Sequence, residues 1–271
     1  MPDDQPLILA ETSSYAVVYK PPFMHTVPLR DGLQSHPAGD DFAGDNPHQQ
    51  TLLDWCFAHV PHVKAVRGRR TWERGVLHRL DYETRGLVLI VKTQDAFDAL
   101  MRQQEQGLFV KTYRAESAGG TGSGGAGFPS CPYNGIHPPC IIESAFRAFG
   151  PGRAAVRPAL KPFPKNKDIA LDRGVYYRTE ILEKLEETGG AIVFRVRLER
   201  GFRHQIRCHL AWLGHPLVND ALYGGIISCC DHLQHAPIGL RAVGLTFIDP
   251  AGSGEVSYTL GVAQKEEDIF R

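Results

Sequence analysis

A carboxylate and a cation stand two residues apart at the end of an apolar run. Asp81 follows residues 75–80, Arg79 precedes it by two positions, and Thr84 and Gly86 lead into a second apolar run. A carboxylate at a strand end beside a permanent cation is a place where burial and charge can be balanced for chemistry. The alternative is a surface turn whose Asp side chain bonds its own backbone.

A second group of polar residues lies on a helix predicted over residues 204–213. His204 and His209 are five positions apart, which separates them by about 140° around a helix. Zinc hydrolases that bind metal through one helix need two histidines four apart on one face, so we expect one histidine to be packed and the other to bond locally. Arg207 keeps its charge. If its helix end faces Asp81, it holds that carboxylate ionised, since a nearby opposite charge lowers an Asp pKa by about 1–3 units.

A zinc site is a further possibility that the cysteine spacing disfavours. The residues that could contribute are Cys131, His137, Cys140, Cys229, Cys230, His232 and His235. Structural zinc sites usually show two tight Cys/His pairs. Here eight residues separate Cys131 from Cys140, and the other two cysteines are adjacent. We expect free thiols and no metal.

The elements that must position these residues follow from periodicity and from capping residues. Helices are predicted over residues 52–60, 94–106 and 204–213, with Thr51 and Thr93 as N-caps and Gly107 and Gly214 as terminators. Strands are predicted within 7–20 and at 75–80, 86–92, 108–116, 141–149, 176–187, 192–198, 238–248 and 255–262. Residues 34–49 are predicted to be a loop, 188–190 a hairpin turn, and 118–140 a Gly/Pro-rich loop insertion. Hairpin-linked strands outnumber helices, which predicts an α+β fold with a mixed, mainly antiparallel central sheet and flanking helices.

Composition limits the classes of partner. The chain has 271 residues with 30 Lys and Arg against 30 Asp and Glu, so an RNA or DNA partner must meet a local basic patch. The N-terminus has no basic and apolar signal sequence, and the apolar run at 86–91 is far too short to span a bilayer. We expect a cytoplasmic protein without membrane contact.

Five segments, in order along the chain, resemble the RluA-type family of RNA pseudouridine synthases. The matching segments are Lys20-Pro21-Pro22, residues 78–87 (HRLDYETRGL), residues 109–113 (FVKTY), residues 204–224 with the runs HQIRCHL, GHP and DALYG, and residues 238–250. Residues 78–87 resemble the family's catalytic motif, and the whole match covers about residues 7–250. Five separate matches in the correct order make coincidence implausible.

The resemblance implies a fold, a reaction and a partner. The fold is that of pseudouridine synthases, with an active-site cleft across the sheet. Family members convert uridine in ribosomal or transfer RNA to pseudouridine by breaking the N1–C1′ bond, rotating the uracil and rejoining it through C5, without a cofactor. We expect residues 1–271 to form a single catalytic domain with a loop insertion at about 118–140, no separate N-terminal RNA-binding domain, and a monomer.

The resemblance also implies roles for residues. Asp81 is the expected catalytic carboxylate, either as nucleophile at C1′ or as the base that starts a glycal route. Arg207 is expected to pair with Asp81, and Tyr113 to stack on the target base. Residues expected to bind the substrate are His78, Arg79, Thr84, Leu240, His204 and Gln205, with Arg79 filling the space left by the extruded nucleotide and Leu240 closing the uracil pocket.

Two basic segments are expected to bind RNA phosphates. The first spans residues 64–74 and includes Arg67, Arg69 and Arg70, and the second spans residues 153–167. The alternative is that both are solvated surface loops.

Two other functions stay open. A protein that binds RNA without turnover would have the same fold. A carboxylate glycosidase would need a second acid near Asp81, and Glu83 is the only local candidate. The chain also departs from the family pattern at Arg85 (usually Ser), Phe202 (usually Arg, with Arg203 as a possible substitute), Asn219 (usually Gly) and Arg241 (commonly His). These departures bear on the RNA target more than on the chemistry.

Overall fold

A computed structural model describes residues 4–28, 50–119, 125–160, 175–186, 190–227, 236–252 and 254–261. The strands are β1 (Leu7–Glu11), β2 (Tyr15–Lys20), β3 (Arg85–Val91), β4 (Val110–Ser117), β5 (Cys140–Phe149), β6 (Ala155–Ala159), β7 (Tyr177–Glu186), β8 (Ile192–Leu198), β9 (Leu240–Ile248) and β10 (Glu255–Thr259). The α-helices are α1 (Leu52–His59), α2 (Gln94–Gln106) and α3 (Gln205–Trp212). Short 3-10 helices span Pro61–Ala65, Pro151–Arg153 and Ala221–Tyr223.

These elements form two compact units. The first contains the described residues before 29, those at 50–112 and those from 241 onward, and the second contains the described residues between 113 and 240. In the first unit the strand order is β1-β2-β3-β9, and β10 pairs with β9. Strands β3 and β9 run parallel, whereas β1–β2, β2–β3 and β9–β10 are antiparallel. The mixed sheet expected from the sequence is therefore confirmed.

Local sequence explains the helices of the first unit. The Thr51 side chain accepts from the Asp54 backbone N–H, and the Asp54 carboxylate accepts from the Thr51 N–H, so α1 begins with a capping box. Thr93 caps α2, and Gly107 ends it in the left-handed conformation at φ 77°. The predicted bounds of α2 are confirmed, because both of its ends carry a specific signal.

The prediction of a strand at residues 75–80 is wrong. Only a single bridge, between Val76 and Ile90, pairs this segment with β3. Further along, the two backbone groups of Leu80 bond the hydroxyl of Thr26 instead of a neighbouring strand, with distances of 2.9 and 3.1 Å. A side chain therefore supplies the bonds that a ladder would have supplied. The apolar residues here are buried as expected, but the backbone is irregular.

The second unit has the strand order β4-β8-β7-β5-β6. The pairs β5–β6, β5–β7 and β7–β8 are antiparallel. Strand β6 was not predicted, since Ala155–Ala159 lies inside a segment that looked like a basic loop. Residues 125–139 contain no helix or strand, as expected for the loop. The predicted loop at 34–49 and turn residues 188–189 lie outside the described residues.

Each unit has its own apolar core. In the first, β2, β3 and β9 pack against α2 through residues such as Tyr15, Leu89, Phe97 and Phe247. In the second, α3 packs on β5, β6 and β7 through Phe146, Val156, Tyr177, Cys208 and Ala211. Burial of these side chains is the main term that stabilises the packing of each core.

Candidate active site

The turn that carries Asp81 is fixed from both sides. Upstream, Thr26 bonds both backbone groups of Leu80. Downstream, the Thr84 N–H donates to the Asp81 carbonyl at 3.1 Å and closes the turn before β3 begins. Asp81 itself is only partly buried. Its backbone is therefore held while its carboxylate stays near solvent, which suits a group that must meet a substrate.

Lys20, the last residue of β2, is buried and contacts this turn. Its ammonium donates to the carbonyls of Pro21 (2.9 Å), Met24 (2.7 Å) and Tyr82 (3.3 Å). Burial lowers the pKa of Lys20 to about 7, against the charges of Asp81 and Glu83, which raise it. The bond to Tyr82 ties β2 to the residue after Asp81. In the sequence Lys20 is visible only as part of a Lys-Pro-Pro segment, and no local signal indicates this contact.

We expect the titration of Lys20 to report its coupling to Asp81. Asp81→Asn removes the larger of the two charges that raise the pKa of Lys20, so the midpoint should fall below about 7. Glu83→Gln should lower it less. NMR of lysine labelled at the side-chain nitrogen measures the midpoint, and Lys20→Met assigns the signal. An unchanged midpoint in Asp81→Asn would show that the two groups are not coupled.

The other predicted residues near this turn differ in their surroundings. The ring of His78 lies against Phe109, with ring centres 5.5 Å apart. Burial, and then the charge of Lys111, lower the pKa of His78 to about 3, so the ring is neutral at pH 7. Arg79 forms an ion pair with Glu73 at 3.2 Å. The hydroxyl of Thr84 is buried and has no hydrogen-bond partner among the described residues.

The three arginines predicted to bind the RNA backbone are exposed. Arg69 donates to the sulfur of Met101 (3.0 Å) and to the side chain of Gln104, both on α2. Arg70 lies over the ring of Trp72. Their guanidinium groups therefore stand at the surface of the first unit. Lys161, Lys165 and Lys167 of the second basic segment lie outside the described residues.

Arg207 forms a buried, bidentate ion pair in the second unit. Its Nε and one terminal nitrogen donate to the two carboxylate oxygens of Asp220, at 2.7 and 2.9 Å. The side chain of Arg207 is 4% exposed and that of Asp220 0%. The guanidinium also lies over the ring of Tyr223, 5.4 Å from its centre. Two-point bonding fixes the plane of the guanidinium. In the sequence Asp220 belongs to a motif, but no local signal indicates that it is the partner of Arg207.

The residues at the start of α3 are bonded within the second unit. His204 adopts a left-handed conformation at φ 56°, and its Nδ1 lies 3.2 Å from the Tyr223 hydroxyl. The amide of Gln205 donates to the Arg178 carbonyl and the Thr179 hydroxyl, while its oxygen accepts from the Phe202 N–H. These bonds position the first turn of α3, the helix that carries Arg207.

The departure from the family pattern at Phe202, with its neighbour Arg203, has a structural account. Phe202 stacks on Phe146, with ring centres 4.9 Å apart and planes within 4°. Arg203 donates to the carbonyl of Arg153 at 2.6 Å. Phe202 therefore contributes packing where a cation was expected, and Arg203 binds backbone at the end of the 3-10 helix before β6.

His209 is the packed histidine that the helix spacing suggested. It is fully buried, and its ring nitrogens lie 2.9 Å from the Ser144 hydroxyl and 2.7 Å from the Thr179 hydroxyl. Burial lowers its pKa from 6.5 to about 3. His209 is therefore a neutral core residue at pH 7.

This burial predicts an acid-dependent loss of stability. Between pH 6.5 and about 3, His209 binds a proton in the unfolded chain but stays neutral in the folded chain. The free energy of unfolding should therefore decrease as the pH is lowered through this window, and His209 should contribute up to about 1.4 kcal/mol per pH unit to the decrease. Urea unfolding of wild type and His209→Gln from pH 6.5 to 4.5 measures the slope. We expect a shallower slope in the variant, and equal slopes would contradict the assignment.

Tyr113 and Leu240 are both buried, and each is 6% exposed. Tyr113 lies on β4, on the face shared with Lys111, Ala115 and Ser117. Leu240 begins β9. Asp81 belongs to the first unit, whereas Tyr113, Arg207 and Leu240 belong to the second. That the three proposed catalytic residues share one crevice stays a prediction.

The described residues contain neither a candidate metal cluster nor a candidate membrane-spanning helix. No three His, Cys, Asp or Glu side chains in this part of the chain lie close enough to hold a metal ion. Cys229, Cys230, His232 and His235 lie outside it. In the same residues, no helix combines the length and apolar character that crossing a membrane requires.

Comparison with known proteins identifies the family. A family model described as RNA pseudouridylate synthase matches residues 14–212. Ribosomal large subunit pseudouridine synthase D of Pseudomonas aeruginosa is 29% identical over 221 residues, which is 80% of this chain and 56% of that protein. The protein of the same name from Neisseria meningitidis serogroup B is 28% identical over 255 residues, 92% of this chain and 58% of its own length. The chain thus spans little more than half the length of these curated relatives.

Solved structures agree on the fold. Human RNA Pseudouridylate Synthase Domain Containing 1 aligns with a TM-score of 0.58 and 19% identity over 96% of this chain and 85% of that one. Human RNA Pseudouridylate Synthase Domain Containing 4 aligns with a TM-score of 0.57 and 15% identity over 95% and 88%. The family model spans well over half of the sequence, so the chain belongs to the RluA-type family of RNA pseudouridylate synthases.

Proposed function

We propose that this protein is an RNA pseudouridine synthase that isomerises specific uridines in RNA. The observation that carries the proposal is Asp81, which stands inside the matched family motif on a turn held by Thr26 and beside the buried ammonium of Lys20. An ionised carboxylate on a rigid backbone is what either proposed route of the reaction needs. The names of the curated relatives favour ribosomal RNA of the large subunit as the substrate. Transfer RNA is the alternative substrate.

Asp81 performs the chemical step at the ribose. As a nucleophile it bonds to C1′ while the N1–C1′ bond breaks and uracil leaves with the electron pair. As a base it removes a ribose proton and starts the glycal route. In both routes the uracil then turns. In the nucleophilic route C5 attacks C1′ and displaces the Asp81 carboxylate, and in the glycal route C5 bonds to C1′ while the ribose recovers its proton from Asp81. Loss of the C5 proton and protonation of N1 then give the isomer. The positive charge of Lys20 favours the ionised form of Asp81 in the free enzyme.

Arg207 and Tyr113 complete the proposed site. Arg207 acts beside Asp81, and the Asp220 carboxylate fixes the plane in which it presents its remaining donors. Tyr113 offers a flat ring on which the target base can stack. His78, Arg79, Thr84, Leu240, His204 and Gln205 are the proposed contacts to the nucleotide. His204 and Gln205 also hold the α3 terminus through bonds within the protein.

The RNA backbone binds at the exposed arginines Arg67, Arg69 and Arg70. A chain without net charge can bind RNA only through such a local patch. We also propose that the chain acts as one catalytic domain, since the family motifs come from both compact units. We further propose that it acts as a monomer and in the cytoplasm.

Release of tritium from RNA labelled at uracil C5 tests the activity. We expect the purified protein to release tritium from large-subunit ribosomal RNA transcripts, and nuclease digestion with mass spectrometry should show pseudouridine in the same samples. Transfer RNA transcripts form a parallel arm that separates the two substrate classes. Absence of release from both would leave binding without turnover as the better account.

A further inference from the structure

Two arginines stand side by side where β3 and β9 begin. Arg85 is the register partner of Arg241 in the parallel pair, and Gly86 is the partner of Ala242. Paired residues on adjacent strands are about 4.8 Å apart and point to the same face of the sheet. Both side chains are partly buried. The structure therefore joins two arginines that lie 156 residues apart in sequence.

Gly86 is what allows the two strands to approach so closely. Its φ is +125°, and a Cβ at this position would lie 2.2 Å from the carbonyl oxygen of Ala242. Backbone therefore meets backbone next to the arginine pair. The register of Arg85 with Arg241 is fixed by this contact and does not depend on flexible loops.

The pair is electrostatically incomplete on the side of Arg241. Like charges directly opposite each other on paired strands disfavour the sheet. No carboxylate forms an ion pair with Arg241 in the part of the chain that the structure describes. Its Nε is buried and has no hydrogen-bond partner there. Its guanidinium instead lies over the ring of Tyr19, 5.8 Å from the centre. An anion is the ligand that this arrangement lacks.

The pair is also close to the proposed chemistry. Arg85 is the first residue of β3 and follows Thr84, whose N–H closes the Asp81 turn. A ligand held by Arg85 and Arg241 would therefore lie beside the residue that acts on the ribose. Guanidinium groups match the oxygens of a phosphate through two-point bonds.

We propose that Arg85 and Arg241 together bind one phosphodiester group of the RNA, close to the nucleotide on which Asp81 acts. This inference rests on the proposed function, since it takes RNA as the partner. It assigns a phosphate subsite made by two strand residues, separate from the exposed arginines of residues 64–74. One phosphate held by two arginines makes their contributions interdependent.

Fluorescence anisotropy with a labelled single-stranded RNA of mixed sequence tests the subsite. The variants are Arg85→Gln, Arg241→Gln, the double variant, and Arg102→Gln as a control that removes one charge from the exposed face of α2. We expect each single variant to weaken binding several-fold and the double variant to be little weaker than either. In the double variant, the negative slope of the log of the RNA association constant against log salt should become shallower by about 0.7, the value for one phosphate on single-stranded RNA.

Three outcomes would overturn the subsite. Binding and slope equal to the Arg102→Gln control would show that the pair does not touch RNA. Single effects that multiply in the double variant would show two independent contacts. Losses that depend on the RNA sequence would indicate contacts with base edges instead of phosphate. Arg241→Lys is a milder variant that keeps the positive charge, so it is less prone to misfold. It should retain the salt slope but bind RNA more weakly, because Lys lacks the two-point bonding of Arg.

Tritium release separates this inference from the proposed function. If the wild type releases tritium and the arginine variants bind like the control, the subsite is refuted and the enzymatic function stands. If no RNA yields tritium but the double variant loses the predicted slope, the anion subsite stands and the enzymatic function is refuted.

Discussion

Asp81→Asn should abolish pseudouridine formation while the protein still folds and binds RNA. Asparagine matches the shape of aspartate but lacks its negative charge, so it can neither attack C1′ nor accept a ribose proton. The loss of a positioned acid–base group typically costs about 10²–10⁴ in rate, and loss of a nucleophile blocks that route entirely. The turn should persist, because its closing bond uses the Asp81 backbone carbonyl.

Asp98→Asn is the matched control for this experiment. Asp98 is exposed on α2 and accepts a bond from Gln94 at 2.8 Å, so its amide variant changes the same charge away from the turn. Single-turnover tritium release compares the three proteins. If Asp81→Asn retained the wild-type rate, the role of Asp81 would be wrong, and the carboxylate of Glu83 would need to be examined.

Asp220→Ala should cost about 3–5 kcal/mol of unfolding free energy, because it leaves a buried guanidinium without its carboxylate. Asp220 accepts two bonds from Arg207, and both side chains are almost inaccessible to solvent. Desolvated charges that lose their partner are among the most costly single changes in a protein. Activity should fall as well, since the plane of Arg207 would no longer be fixed. Urea unfolding followed by circular dichroism measures the change.

Two further variants make this result specific. Glu180→Gln breaks a partly exposed pair with Arg197 (2.9 Å) in the same unit and should cost no more than about 1 kcal/mol. The double variant Arg207→Met/Asp220→Leu removes both charges and should be more stable than Asp220→Ala, since no charge is left unpaired. Equal stability of Asp220→Ala and Glu180→Gln would show that the pair is not desolvated in solution.

Strong local signals made part of the fold predictable. The bounds of α2 follow from Thr93 and Gly107. Those of β8 follow from apolar residues at every second position from Ile192 to Leu198, with Arg195 and Arg197 between them. Residues 75–80 have the composition of a strand, but the hydroxyl of Thr26 takes over the bonds of Leu80. Nothing in the sequence near 75–80 signals that contact.

Strand β6 was missed because its stabilising contacts come from distant residues. Arg157, which suggested a solvated loop, is buried and lies over the rings of Phe128 and Phe149, 4.2 and 4.3 Å from their centres. Its Nε donates to the carbonyl of Ala126. From the sequence alone, such an arginine is indistinguishable from a surface residue, because the aromatic rings that enclose it come from other segments.

The chemical residues of the candidate site could be found from motifs, but their supporting contacts could not. Motif matches pointed to Asp81, Tyr113 and Arg207. The partners Lys20 and Asp220, and the register of Arg85 with Arg241, depend on pairings between segments far apart in sequence. Such contacts become visible only with the strand order and the backbone path.

Pseudouridine mapping of total RNA tests the central claim most directly. RNA would be compared from cells that lack this protein and from the same cells complemented with wild type or with Asp81→Asn at equal protein levels. We predict that at least one uridine loses its modification in the deletion, regains it with wild type and stays unmodified with Asp81→Asn. Restoration by both proteins, or an unchanged pseudouridine map in the deletion, would contradict the account.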